Sequence, residues 1–270
     1  MKNTKVRALV ESAIMIAIAT VLSMIKIIDL PYGGSVTIAS MFPIVIISYR
    51  HGLKWGCAAG LVYGVVQQLL GLSTLSYFTS WQSIIAIILL DYVVAFAVAG
   101  LGGAFRNCVK SQSTSLALGS LLVCILRYAC HVLSGATVWA GVSIPTKAAL
   151  AYSFVYNATY MLPEVIIMVI VAVYMGSAMN FNAQLPVRVA KSESNAAGSI
   201  FTVLAGLPIA VALICDVALV FSKLQNGETG EFAIKQIVNV NWLAVAIVTA
   251  VALVVAAALF MVGKSQKQDA

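Results

Sequence analysis

Apolar runs long enough to cross a lipid bilayer recur along the whole sequence, and they leave few folds open. Residues 8–28, 83–105, 115–136, 146–175 and 241–262 each carry very few charged side chains. A hydrocarbon core about 30 Å thick needs roughly 20 apolar residues per helical span. Inside lipid every backbone polar group must find a partner, so only helices and closed barrels can cross. Strand-like alternation is absent, which leaves helices. Composition agrees: 61% of the 270 residues are hydrophobic and only 9% are charged, whereas soluble domains carry about a quarter charged residues.

The formal net charge of +7 would suggest nucleic acid in a soluble chain. Here the Lys and Arg residues gather in the N-terminal tail, at 50–54, at 106–110, at 188–191 and in the Lys264/Lys267 tail. Alternation of these basic segments with weakly charged loops follows the positive-inside rule and predicts eight helices with both termini cytoplasmic. It implies no nucleic-acid partner. Lys2, Lys5 and Arg7 before an apolar run resemble a signal peptide, but the run is long and no A-x-A-like site follows, so it reads as the first span. The five cysteines form no CxxC pair and read as small buried hydrophobes, and two histidines supply little for a metal.

In chain order, the first span (8–28) carries Ala13 and Ala17 one turn apart, a small-xxx-small pair that lets another helix approach closely. The stretch 29–35, with Pro31, Gly33 and Gly34, is expected to form a turn or a short lid. A short second helix (36–49) is expected to be broken by Pro43, and His51 in the following basic loop to be solvated. The third helix (53–72) presents Gly56, Gly60 and Gly64 as a close-packing face. Tyr77, Phe78 and Trp81 in the loop 73–82 suit an aromatic belt. The fourth helix (83–105) holds Asp91 about 13 Å below that belt. A carboxylate there costs at least about 2.5 kcal/mol on insertion scales and must face a cavity or a partner.

On the fifth helix (115–136), Arg127, His131 and Gly135 fall at i, i+4, i+8 on one stripe, with Ser134 beside them; Trp139 follows at the mouth. Gly141 and Pro145 separate it from the sixth helix (146–175), where Ser153, Asn157, Tyr160 and Glu164 recur at i, i+4, i+7, i+11. Two facing polar stripes predict an outward-opening pocket. Residues 180–198 read as a cytoplasmic linker, and 199–221 and 241–262 as two further helices, with Asp216 interfacial. Asp91, Arg127, His131, Trp139, Tyr152 and Asn157 together suit a small polar ligand of aromatic and cationic character. An indole face attracts a cation by about 0.5–2 kcal/mol, a carboxylate supplies the counter-charge, and an amide can pair with a heteroaromatic ring edge. Tyr92, beside Asp91, and Tyr77, in the outer loop, complete the candidate set.

An enzyme using Asp91 and His131 as an acid/base pair is the rival class. The sequence contains no HExxH, no G-x-S-x-G and no G-x-x-x-x-G-K-[ST] phosphate loop, so any nucleotide-driven transport would need another chain. An autonomous carrier would call for a second acidic site or an inverted repeat, and neither is evident.

The segments DLPYGGSVTIASMFPIVIISYRHGLKWG, LLDYVVAFAVAGLGGAF and LRYACHVLSGATVWAG…AYSFVYNATYMLPE resemble the thiamine-specific substrate-binding subunit, or S component, of energy-coupling factor (ECF) transporters. The similarity covers approximately residues 5 to 178. It implies an all-α integral membrane protein with a six-helix S-component core (1–179), followed here by the linker and a two-helix C-terminal membrane extension (199–270) of no evident role. It implies a cell-membrane protein, not an enzyme and without a cofactor, that captures thiamine or its phosphate esters and works with a transmembrane coupling subunit and two ATPase subunits. By motif position Trp139 would stack on the thiamine rings, His131, Tyr152 and Asn157 would contact the ligand, and Gly135 would permit close approach. Asp91 stands where the family commonly has Glu, and Arg127 where Lys is expected. Ala13 and Ala17 match the family's docking motif for the coupling subunit. The alternatives are an S component for another heteroaromatic vitamin or pyrimidine precursor, and a small membrane-embedded enzyme.

Overall fold

A computed structural model of the chain describes residues 4–30, 33–189, 201, 204–224 and 234–268. Contacts divide the chain into two compact units, Met1–Ala172 and Val173–Ala270. The first unit is built from α1 (Thr4–Met24), a hairpin of β1 (Lys26–Asp29) and β2 (Ser35–Thr37), α2 (Phe42–His51), α3 (Leu53–Leu70), α4 (Trp81–Gly103), α5 (Gln112–Thr137) and most of α6 (Ala149–Ala178). Among the described residues, α1, α4, α5, α6 and α8 (Trp242–Gln268) are apolar and long enough to cross a membrane. The chain is a mostly helical, multi-pass membrane protein.

Residues 25–28, expected as the end of the first helix, instead lead into and form β1. Ile25, Ile27 and Ile28 are β-branched, and the run pairs antiparallel with β2 through Ile28↔Val36 and Asp29↔Ser35. Nor does Pro43 break α2: it sits in the helix's first turn, where a missing N–H leaves no intrahelical bond unmade. α2 is only about 15 Å long by its residue count. Every residue from Phe42 to Tyr49 is buried, so α2 is an interior helix that need not match the bilayer thickness.

The glycine face of α3 does pack closely, and its partner is the backbone of α4. A Cβ on Gly56 would lie 2.8 Å from the Gly100 carbonyl oxygen and one on Gly64 2.7 Å from that of Tyr92, while one on Gly60 would run into the Phe96 carbonyl oxygen. On the other side of α4, a Cβ on Gly119 of α5 would overlap the Gly102 carbonyl oxygen. α4 is therefore clasped between two helices without intervening side chains. It is α-helical over Trp81–Ile87, widens to π geometry over Ile88–Val94 and tightens to a 3₁₀ turn over Val98–Gly103. The widened turn carries Asp91 and Tyr92; wide turns of this kind recur at functional sites.

His51, expected to be solvated, is partly buried with Nε2 2.7 Å from a carboxylate oxygen of Glu11. The reason is Glu11, an acid in the first span that gathers Arg50 and His51 at the end of α2.

In the second unit, β3 (Met179–Asn180) and β4 (Val187–Arg188) form a short antiparallel ladder at the start of the expected linker; its continuation, 190–198, lies outside the described residues. α7 (Gly206–Leu224) packs on α8, and Thr249 donates a 2.6 Å hydrogen bond to Asp216. Asp216 thus pairs between the two helices. Asn241 caps α8, accepting from the Ala244 amide at 3.0 Å.

Candidate functional site

The first unit encloses a cavity of about 590 Å³ beneath the β1–β2 hairpin, within the range of small-molecule sites. Of the nine residues singled out from sequence as substrate-binding, Tyr77, Asp91, Tyr92, Arg127, His131, Gly135, Trp139 and Asn157 line it. Tyr152 does not. It packs instead against the apolar cluster of Phe78, Ile87, Trp139 and Ile144, outside the cavity wall.

Asp91 is the hub of the polar wall. One carboxylate oxygen lies 2.8 Å from His131 Nδ1; the other accepts from Ser134 Oγ at 2.6 Å and from the Trp139 indole Nε1 at 3.1 Å. An ionised carboxylate only accepts, so the proton between it and the imidazole is assigned to Nδ1. In the neutral ring Nε2 is then an acceptor, and it is buried without a hydrogen-bond partner.

Trp139 is held from three sides and is only 8% exposed. Its indole N–H is tied to Asp91, Phe78 meets its ring edge-to-face at 4.9 Å between centroids, and Tyr77 lies 6.1 Å away, tilted by 53°. Its carbonyl oxygen accepts from the amides of Val142, Ser143 and Ile144 at 3.0, 3.2 and 3.1 Å, and Gly141 closes this turn with φ +87°. Ring and backbone are both pinned at the end of α5.

Asn157 spends its amide on the protein. Its Nδ2 donates to Ser153 O at 2.8 Å and lies 3.1–3.2 Å from Ser153 Oγ and His131 O, while its Oδ1 accepts from Tyr160. Gly135 serves the same junction: a Cβ there would overlap Ser153 Oγ and sit 3.0 Å from Ser153 Cβ. The missing side chain lets α5 and α6 approach each other.

Two charged groups sit deeper. Arg127 places its guanidinium 4.6 Å over the Phe96 ring and NH1 3.5 Å from the Met41 sulfur, while its Nε is buried without a partner. Neither Asp91 nor Glu164 forms an ion pair with it; a cation over an aromatic face is the arrangement that replaces one. Glu164, 1% exposed, accepts from the Thr37 amide at 2.7 Å and the Thr37 hydroxyl at 2.8 Å. These bonds tie the hairpin above the cavity to α6.

Tyr156, Phe96, Gln67 and the hairpin residues Lys26 and Asp29 also line the cavity. Tyr156 has a readable signal, since Ser153, Tyr156, Asn157, Tyr160 and Glu164 form one i, i+3, i+4, i+7, i+11 stripe. Asp29 opens the stretch expected to form a turn or short lid, whereas Lys26 has no such signal, because only pairing with β2 brings it over the pocket. Among the described residues, no group of three or more His, Cys, Asp or Glu side chains could hold a metal ion.

Residues 9–182 match the family described as thiamine transporter protein (Thia_YuaJ). The thiamine transporter ThiT of Bacillus subtilis (strain 168) is 39% identical over 174 residues, covering 60% of this chain and 86% of that protein. The protein of the same name from Lacticaseibacillus paracasei is 25% identical over 179 residues, covering 60% and 83%. Among solved structures, ThiT from Listeria monocytogenes superposes with a TM-score of 0.54 at 23% identity, over 64% of this chain and 95% of that one, a likeness of fold.

Proposed function

This chain belongs to the thiamine transporter protein family, and on that premise we propose that it is the high-affinity thiamine-binding specificity subunit of an ATP-driven ECF importer. The family is one of transporters, not enzymes. Six helices from α1 to α6 form the S-component core, α7 and α8 are a two-helix extension beyond the family match, and both termini face the cytoplasm.

The observation that carries the reading is the Asp91 hub. It offers a cationic heteroaromatic ligand three things at one wall: a counter-charge, an immobilised indole face in Trp139 and an imidazole acceptor in His131 Nε2. Thiamine carries a thiazolium cation and an aminopyrimidine whose amino group donates. The thiazolium is attracted to the carboxylate and the indole face; the amino group suits Nε2. Asn157 and Gly135 act through the α5–α6 junction, Arg127 is set to meet a phosphate ester if one is bound, and Tyr77 and Tyr92 close the outer side.

Transport itself requires a transmembrane coupling subunit and two ATPase subunits. α1 offers them an outward face on which Ala13 and Ala17 are exposed among Leu9, Val10, Ile14, Ile18 and Val21. The test separates binding from transport. Purified chain alone is expected to bind thiamine stoichiometrically without ATP, and Ala13→Trp to keep that binding while uptake in cells is lost. No binding of thiamine by the purified chain would refute the proposal.

A further inference from the structure

We infer that Glu11 is a positioning residue for transport: it locks the rotation of α1 so that the Ala13/Ala17 face is presented to the coupling subunit. The inference rests on the docking role proposed for that face.

α1 has little apolar packing to hold it, since only 17% of its span is buried. In lipid, burial of apolar surface does not drive helices together, so packing and polar contacts must. α1 has such contacts along its inner side. Trp55 Nε1 donates to Ser12 Oγ at 2.7 Å, Tyr63 OH to the Ala19 carbonyl at 3.3 Å, and Gln67 Nε2 to Ser23 Oγ at 2.8 Å. Ser12, Ala19 and Ser23 follow one another at i, i+7, i+11, and Trp55, Tyr63 and Gln67 at i, i+8, i+12, as two parallel helices require.

The cytoplasmic end of this ladder is a charge clamp. Arg50, whose side chain is 4% exposed, reaches the two Glu11 oxygens with Nε at 2.8 Å and NH2 at 2.9 Å. His51 Nε2 lies 2.7 Å from the same carboxylate and Arg7 Nε 3.5 Å. A forked guanidinium–carboxylate pair fixes direction as well as distance. At about 100° per residue, Ala13 and Ala17 lie about 200° and 240° around α1 from Glu11. The clamp therefore grips the side of α1 opposite the small-residue face, and turning α1 about its axis would carry that face away from a partner.

The test uses the full chain in cells that supply the ATPase subunits, with three readouts: thiamine binding by the purified chain, ATPase subunits co-purifying with it, and thiamine uptake. Glu11→Gln is expected to keep thiamine affinity within about twofold and to lower co-purification and uptake by roughly tenfold or more, because it breaks one side of a partly buried, forked ion pair. Arg50→Lys keeps the charge but loses the fork and should fall between Glu11→Gln and the unaltered chain. Wild-type uptake and co-purification in Glu11→Gln would overturn the inference. So would a proportional loss of thiamine binding, which would make Glu11 a residue of the fold alone. Ala13→Trp, run in parallel, separates the premises: if it also leaves uptake intact, the docking reading itself fails, whereas lost uptake there with full uptake in Glu11→Gln rejects only the role of Glu11.

Discussion

Replacing Asp91 by Asn tests the electrostatic core of the site. The carboxylate accepts from three groups, His131 Nδ1, Ser134 Oγ and Trp139 Nε1. Asn offers one acceptor oxygen and an NH₂. Set where Oδ2 now lies, that oxygen can keep both the Ser134 hydroxyl and the Trp139 N–H, and the NH₂ then faces His131 Nδ1. His131 must then either leave its N–H unmatched or move the proton to Nε2, which converts the cavity-side acceptor into a donor. Losing one charge-assisted hydrogen bond costs about 1.5 kcal/mol. For a cation bound about 8 Å away, removing the carboxylate costs about 2 kcal/mol more at an effective dielectric of 20. Together, about 3.5 kcal/mol weakens thiamine roughly 300-fold, since 1.36 kcal/mol is tenfold. A neutral analogue, with an uncharged five-membered ring in place of the thiazolium, should lose only the hydrogen-bond part, roughly tenfold. Titration calorimetry of both ligands against both proteins measures the difference. Equal losses for the two ligands would refute the counter-charge role and leave Asp91 as a structural hub for His131 and Trp139.

Three further outcomes follow from the same geometry. Arg127→Met should leave thiamine affinity unchanged or slightly higher but weaken its phosphate esters by about tenfold or more, because the only cation set over Phe96 among the described residues is removed; parallel changes in competition binding would contradict this. Glu164→Leu removes both acceptors and leaves the buried Thr37 amide without its partner, at about 1–3 kcal/mol. Amide hydrogen exchange across 33–37 should rise about tenfold or more, and unchanged exchange would show that the hairpin is held by something else. Gly135→Ala forces a methyl into Ser153 and should destabilise the α5–α6 junction by about 1–3 kcal/mol, read as a lowered unfolding temperature in detergent; an unchanged temperature would mean the helices separate freely.

Much of this arrangement could be read from helical spacing because helices in lipid display their polar residues on stripes. Arg127, His131 and Gly135 reach one cavity wall because they are four residues apart on α5, and Gly56, Gly60 and Gly64 meet α4 for the same reason. The same rule selects Tyr156 over Tyr152, since only Tyr156 shares the stripe with Ser153 and Tyr160; motif position alone favours the other tyrosine. Where reading by pattern failed, long-range partners decided. Residues 25–28, read as the end of the first span, enter a strand because Ser35–Thr37 pairs with residues 26–29. His51 sits among basic neighbours in the sequence, yet its partner Glu11 lies a full helix away. Glu164 continues a polar stripe, but its bonds to Thr37 depend on a hairpin of which the sequence announces the turn at 29–35 and not the strand pairing. The identity of Arg127's partner was likewise hidden: three carboxylates, Asp29, Asp91 and Glu164, line the same cavity, and the guanidinium lies over Phe96.

The most direct test of the account is fluorescence titration of the purified chain with thiamine, before and after Trp139→Ala. The indole of Trp139 is pinned by Asp91, Phe78 and the turn at Gly141, and the proposed function sets it against the ligand rings. Saturable quenching is expected in the unaltered chain. In the variant that quenching should be lost and affinity should weaken by about 2 kcal/mol or more, roughly thirtyfold. Saturable quenching of unchanged amplitude and affinity in Trp139→Ala would contradict the stacking role.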